Sequence, residues 1–349
     1  MKIVFWGTPN YAVASLEALV KAGHDLVAVV TQPDRRRARG KLLLSSPVKV
    51  RALELGLTVY TPKQISSDID IQTRLASLEA DIYIVVAFGQ ILPFEILVQP
   101  RLGCWNGHGS LLPRWRGAGP IQWSVTEGDS QTGVCIIAMG LDLDTGPVLI
   151  EQSIDIGFNE NAENLGQRLS QLTGELLVEA MPLIATVGQG SESERFKQLA
   201  MRTQVEKDIT YAHMLTKQDF IIMWNRSALA IHRQVMGFYP EAFSYWRGKR
   251  LKVLSTEPLD PSLSCQLTKE AIQIIHQWRL RMNPDQRVIP GEILATYEGV
   301  GMVVSTGDHP ILIRKAQLED KHFVEGQALI QQMGIRIRSV NIFKNSNIP

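Results

Sequence analysis

Asn106 and His108 stand two residues apart in the segment CWNGHGSLLPRWRGAGPIQW, and Asp144 follows in MGLDLDTG. In an extended backbone, residues i and i+2 project from one face with Cα atoms about 6.5 Å apart. An amide donor and an imidazole would then look into one pocket, with a carboxylate available from a neighbouring segment. A donor for a developing oxyanion, a general base and an orienting acid are the parts that acyl transfer needs. Spacing alone also accommodates plainer roles: a backbone cap for Asn106, a satisfied interior ring for His108, and a hairpin turn for Leu143–Gly146.

The elements that must position these residues read as an alternation of strands and helices. Lys2–Trp6 is a short apolar run ending in a Gly-Thr-Pro turn, and apolar residues then recur at helical spacing from Tyr11 to Val20. Asp25–Thr31, Asp81–Phe88, Gly103–His108 and Gly133–Met139 are continuous apolar runs, and Ser46-Pro47 opens a helix with proline in its first turn. Such strands separated by helices imply a parallel sheet covered on both faces. A long helix is expected from Ala162 to Val187. The opening strand, turn and helix lack GxGxxG and an acidic residue closing the second strand, which excludes a dinucleotide site.

After the linker-like GQGSESER at 188–195 the pattern changes. Lys217–Met223 and Ser227–Met236 suggest one or two helices. Short β-like runs follow at Ala242–Trp246, Arg250–Leu254, Ala271–Ile275, Gly291–Tyr297, Gly301–Ser305 and Ile311–Ala316, the spacing of a small barrel. Residues 282–290 look like an inserted loop, and the last ten residues look frayed.

At 349 residues two domains are the default. The net charge of +1 conceals a split: residues 1–206 hold 18 Lys/Arg against 22 Asp/Glu, and residues 207–349 hold 18 against 13. Arg35, Arg36, Arg37, Arg39 and Lys41 crowd into one stretch, inside a connection (33–45) much longer than the typical 2–6 or so residues between a strand and a helix. A basic second half and a basic loop suggest a polyanionic partner. Three dispersed cysteines argue against a disulfide framework or a thiolate zinc site and fit a reducing compartment. There is no apolar run of membrane-spanning length and no signal-cleavage pattern, so the expectation is a cytoplasmic protein with no membrane contact.

Five separated pieces carry a resemblance. GTPNYAV at 7–13, QPDRRRARGKLLLSSPVKV at 32–50, VVAFGQILP at 85–93, NGHGSLLPRWRGAGPIQW at 106–123 and LDTG at 143–146 are similar, in order, to the methionyl-tRNA formyltransferase family. The match is dense over 1–150 and looser over 210–340. The Asn-x-His-x-Ser-Leu-Leu-Pro and Leu-Asp-Thr-Gly pieces are shared by 10-formyltetrahydrofolate-using enzymes generally. The PRWRGAGPIQ extension, the basic loop and the barrel-like half resemble the tRNA enzymes specifically.

The resemblance implies an α/β fold: a Rossmann-like formyltransferase domain with a parallel-rich sheet over 1–188, a linker over 189–206, and a small OB-like β-barrel over 207–340 that binds tRNA. It implies transfer of a formyl group from 10-formyltetrahydrofolate, a co-substrate, to the α-amine of methionyl initiator tRNA for translation initiation, by a monomer without a metal. Asn106, His108 and Asp144 would be catalytic. Phe88, Gly89, Gln90 and Ile91, with Ser110, Leu111, Leu112 and Pro113, would line the folate. Arg35, Arg36, Arg37, Arg39 and Lys41 would meet tRNA phosphates. Arg114 and Arg116, flanking Trp115, would offer charge and stacking to the terminal nucleotides.

Two departures from the family pattern stand out. The residues before LDTG are Met139-Gly140-Leu141-Asp142, which adds a second carboxylate, Asp142, two residues before Asp144. Gly107 separates Asn106 from His108 where a β-branched residue is usual, and suggests close approach of a ligand. The rival readings are a folate-dependent formyltransferase for a small amine (of nucleotide-sugar or glycinamide-ribonucleotide type), a folate-dependent hydrolase, and a non-catalytic RNA-binding protein.

Overall fold

The computed structural model describes residues 1–37, 42–186, 192–281 and 289–335. Arg39, Lys41, most of the expected insertion at 282–290 and the chain's last ten residues lie outside the described residues.

The chain divides into two compact units. The first comprises Met1–Ile121, Gln131–Asp155 and Asn164–Met214. Its seven-stranded sheet has the spatial order Val148–Asp155, Gln131–Ala138, Cys104–His108, Ile82–Val86, Lys2–Gly7, Asp25–Val30 and Val59–Tyr60. From Cys104–His108 to Val59–Tyr60 every pairing is parallel. The other two strands, Gln131–Ala138 and Val148–Asp155, join through antiparallel pairings, which corrects the expectation for Gly133–Met139: it runs against Cys104–His108 and turns back through 139–147 into Val148–Asp155. That edge strand escaped notice because its middle is polar and exposed, so it lacks the continuous apolar run of its buried neighbours.

Alternation along the strands builds a core on each face. Val4, Trp6, Ala28, Val30, Tyr83, Val85 and Cys104 form one face, packed with Ile65, Leu75 and Ile96. Ile3, Phe5, Ile82 and Ile84 point the other way and are fully buried. The helix Ala162–Thr186 covers that second face. A Cβ on Gly107 would lie 2.5 Å from Thr173 Cγ2, and one on Gly174 would lie 3.1 Å from the Ala14 carbonyl. Gly107 therefore admits a packed helix, and close approach of a ligand is not its reason. Within the expected linker, Glu192–Gln198 is helical and Arg202 pairs with Val148, so this stretch groups with the first unit.

The second unit comprises Gln122–Ser130, Ile156–Glu163 and Leu215–Pro349. It holds an antiparallel sheet in the order Phe243–Trp246, Lys249–Pro258, Ile311–Leu318, Gly301–Val304 and Ile293–Tyr297, with Val324–Glu325 beside Ile311–Leu318. Two expectations fail here. Ala271–Ile275 belongs to the helix Lys269–Arg281, because its buried residues Ala271, Ile274 and Ile275 recur at i, i+3, i+4 rather than every second position. Lys217–Met223 is not a helix. Ile222 N donates to the Phe243 carbonyl and Phe243 N to the Phe220 carbonyl, so this stretch lies alongside a strand instead. The expected helix at 227–236 is present as Ala228–Gly237, capped by the Ser227 hydroxyl.

Candidate active site

Cys104–His108 is held between Ile82–Val86 and Gln131–Ala138, with Asn106 opposite Val85 and Ile137. Asn106 and His108 share the face of Cys104, and Gly107 faces the long helix. Asp144 arrives from the 139–147 connection. Its Oδ1 accepts from Asn106 Nδ2 at 3.1 Å and its Oδ2 from Gly117 N at 2.9 Å. The same Oδ2 lies 3.6 Å from His108 Nδ1, and the two side chains are only 8% and 6% exposed. The three expected catalytic residues thus converge. Asp142 stays outside: it is exposed, and its backbone carbonyl accepts from the Thr145 hydroxyl.

His108 Nε2 lies 3.0 Å from the Trp115 carbonyl. A carbonyl can only accept, so Nε2 carries the proton. The Trp115 carbonyl thus holds the Nε2 proton, and Nδ1 faces the Asp144 carboxylate. Asn106 has two amide N–H groups, and Asp144 takes one. Asp144 and Trp115 both have left-handed backbones, with φ of 54° and 65°. Trp115, a bulky residue, adopts that region only under constraint from its surroundings.

The expected folate residues divide. The Phe88 ring is in the core, edge-on to Trp6, while its carbonyl accepts from Thr8 Oγ1 and Gln32 Nε2 at 2.7 and 3.3 Å. Gln90 ties this loop to Ile65 N and the Pro62 carbonyl. Gly89 supplies a left-handed turn and Ile91 is 75% exposed. Ser110 and Leu112 do not line an open site. The Ser110 hydroxyl donates to the Arg114 carbonyl at 2.6 Å, and Leu112 packs with Cys135, Ile137 and Val148. Leu111 and Pro113 are half-buried in the same turn. Burial pushes the Cys135 thiol up to about 12, which keeps it a neutral packing group beside Leu112 N. A cleft of about 510 Å³ lies beside this connection, lined by Phe94, Leu97, Cys104, Met139, Gly140 and Leu141 and bounded by Arg195 and Phe196.

The expected tRNA contacts also divide. Arg35 is exposed, and Arg35–Arg37 pairs with Leu42–Leu44 as a two-stranded ribbon. Arg116 is a correction. It is buried, and its guanidinium binds Gln204 Oε1 through Nε at 3.0 Å and Nη2 at 2.8 Å, so it presents nothing to a nucleotide. The Trp115 ring is likewise buried, with the half-buried Arg114 guanidinium 4.3 Å from its centroid, which removes it as an open stacking platform. Two residues that bond to the segments around the site were not marked in the sequence: Gln204, inside the expected linker over 189–206, and Thr210 just beyond it, neither with motif spacing to single it out.

Among the described residues no group of three or more His, Cys, Asp or Glu is placed to hold a metal ion, and no helix is long and apolar enough to cross a membrane.

Residues 1–181 match the formyl transferase family and residues 214–334 the formyl transferase C-terminal domain. A methionyl-tRNA formyltransferase of Synechococcus sp. (strain WH7803) is 57% identical over 333 residues, covering 95% of this chain and 96% of that protein. One from Prochlorococcus marinus (strain MIT 9313) is 54% identical, covering 95% and 96%. Among solved structures, WlaRD, a sugar 3N-formyl transferase crystallised with dTDP and 5-N-formyl-THF, shares the fold at a TM-score of 0.58 and 16% identity, over 92% of this chain and 99% of that one. On its sequence and fold, with Asn106, His108 and Asp144 gathered at one site, the chain belongs to the methionyl-tRNA formyltransferase family.

Proposed function

We propose that this chain transfers the formyl group of 10-formyltetrahydrofolate to the α-amine of methionyl initiator tRNA, with Asn106, His108 and Asp144 as its catalytic residues. The observation that carries this reading is the convergence of those three side chains on one side of Cys104–His108. The folate supplies an activated formyl group. As the amine attacks, negative charge builds on the formyl oxygen, and the second N–H of Asn106 is the donor for it. His108, with its Nε2–H held on Trp115, has Nδ1 to receive the proton that the amine loses, and the Asp144 carboxylate stabilises the resulting cation. Collapse of the tetrahedral adduct breaks the bond between the formyl carbon and the folate N10, and the imidazolium gives its proton to that departing nitrogen, which releases tetrahydrofolate and restores the base. A free α-amine titrates near 7.7–8.0, so a substantial fraction is already nucleophilic at neutral pH.

The cleft beside 139–141 has the volume and the apolar walls for a flat heterocycle, with the 88–91 loop on the chain leading into it. Folate recognition is therefore assigned to this cleft and loop, while Ser110–Pro113 form a packed turn of the same unit. Exposed Arg35, heading the cationic run 35–41, and the basic 207–340 domain are assigned to tRNA phosphates. The chain acts as a cytoplasmic monomer in this reading.

The test is formylation of charged initiator tRNA with 10-formyltetrahydrofolate, run against glycinamide ribonucleotide, an amino sugar nucleotide and water as acceptors, with and without His108→Ala. Formyl-methionyl-tRNA formed by wild type and lost in the variant is expected. Preferential transfer to a small amine, or release of formate alone, would overturn the acceptor assignment.

A further inference from the structure

Gln204 occupies the stretch expected to be a linker, and its carboxamide is fully used. Nε2 donates to the carbonyls of Asp144 and Gly146, each at 2.8 Å. Oε1 accepts from Arg116 Nε and Nη2. One buried side chain thus joins the connection that carries Asp144 to the turn that carries Trp115 and Gly117. Each of those segments carries a non-glycine residue with a left-handed backbone, Asp144 in one and Trp115 in the other, and together they supply both partners of His108.

The chain just downstream reinforces the same turn. Trp115 N donates to Thr210 Oγ1 at 2.9 Å, Arg116 N to the Thr210 carbonyl at 2.9 Å, and Ala118 N to the Ala212 carbonyl at 2.8 Å. A Cβ on Gly117 would stand 2.5 Å from the Ala212 carbonyl oxygen, so the two backbones meet at a distance only glycine permits.

We propose that Gln204 is a positioning residue for formyl transfer. By holding the Asp144 and Gly146 carbonyls against Arg116, it sets the Asp144 carboxylate and the Trp115 carbonyl at their distances from Asn106 and His108. It touches no reacting atom. The proposal rests on the reading of Asn106, His108 and Asp144 as catalytic. The chemistry requires a carboxamide, because only that group of this length offers two N–H donors together with an oxygen acceptor. A glutamate would keep the Arg116 contact but turn an oxygen toward two carbonyls, and a methionine would fill the space with neither bond. Misplacing a reacting group by about 1 Å costs up to about a hundredfold in rate.

The test is steady-state kinetics on the full chain with methionyl-tRNA and 10-formyltetrahydrofolate, for wild type, Gln204→Glu, Gln204→Met, Asp144→Asn and the Gln204→Met/Asp144→Asn pair. Both Gln204 variants are expected to lose roughly tenfold to a hundredfold in kcat, with KM for each substrate about the same as wild type. The pair is expected to be about as slow as Asp144→Asn alone, since both changes act through one carboxylate. Thermal melting accompanies each variant. Gln204→Glu, which retains the Arg116 contact, carries the test where the methionine variant melts early. Wild-type kcat in a folded Gln204 variant, a change confined to KM, or fully multiplicative losses in the pair overturn the proposal. Asp144→Asn at wild-type kcat overturns the catalytic reading and the proposal with it. A slow Asp144→Asn beside a fast Gln204→Met overturns the positioning role alone.

Discussion

Asn106 Nδ2 donates to Asp144 Oδ1 at 3.1 Å although 38 positions of chain separate them. The same carboxylate accepts from Gly117 N, so Asp144 joins the strand, the 139–147 connection and the 113–118 turn at one buried point. Replacing it by alanine removes the acceptor from two part-buried donors at once, and a donor left without its partner is costly. Asp142, exposed two residues earlier, has no such connection.

The first prediction separates the two carboxylates. Asp144→Ala should lower kcat about a hundredfold or more, in the range for loss of one preorganised polar group at a reacting centre, while Asp142→Ala should stay close to wild type. Single-turnover formylation with saturating tRNA reads the chemical step directly. Comparable losses in both variants would move the catalytic assignment to the connection as a whole.

Much of this site was legible because its residues obey short-range rules. Period-two spacing placed Asn106 and His108 on one face, and continuous apolar runs marked Cys104–His108 and its parallel neighbours. What was not legible depends on distant pairings. Arg116 looks like a surface cation in PRWRG, and only a partner 88 residues away makes it an interior one. Gln204 lies in the expected linker over 189–206, with no motif spacing to mark it. Ala271–Ile275 resembles a strand in sequence although its buried positions keep helical period, because a short apolar run gives period two and period 3.6 too few residues to differ.

A second prediction concerns Gly107. An added methyl would meet Thr173 Cγ2 at 2.5 Å, a distance that forces movement of strand or helix. Gly107→Ala should destabilise by about 1–3 kcal/mol, as overpacked cores do. Thr173→Ser deletes the offending methyl and keeps the hydroxyl that lies 2.7 Å from both Tyr11 Oη and the Leu169 carbonyl. The double variant should therefore recover most of the loss in urea denaturation. A double variant no more stable than Gly107→Ala would show that the glycine serves backbone conformation and not the helix contact.

A third prediction addresses the exposed head of the cationic run. Arg35 bonds only loosely to Gln32 Oε1, at 3.3 Å, and contributes nothing to the buried cluster. Arg35→Ala should raise KM for methionyl-tRNA several-fold and leave kcat and KM for the folate unchanged. It should also flatten the dependence of log(kcat/KM) on log[salt] by up to about one unit of slope, the share of one phosphate contact. An unaltered salt slope would take Arg35 out of the tRNA interface.

The second unit carries a pH dependence of its own. His232 is buried and stacked on the Phe158 ring at 4.7 Å, with Nε2 3.0 Å from the Phe158 carbonyl and Nδ1 3.1 Å from Thr256 Oγ1. The neutral ring satisfies both neighbours, Nε2–H donating to the carbonyl and Nδ1 accepting from the hydroxyl. Desolvation by burial is the largest influence and holds the imidazole below its usual 6.5. Hydrogen bonds to Phe158 and Thr256 and the charge of Glu257 oppose this, and Arg233 adds to it. The folded chain therefore binds fewer protons at this position than the unfolded chain. The stability due to the neutral ring is complete above the unfolded value of about 6.5 and declines as pH falls below it. Urea midpoints measured from pH 8 to pH 5 should fall on the acid side for wild type, and His232→Gln should be less stable at pH 8 but flatter across the range. Parallel pH curves for the two proteins would assign the acid sensitivity to other groups.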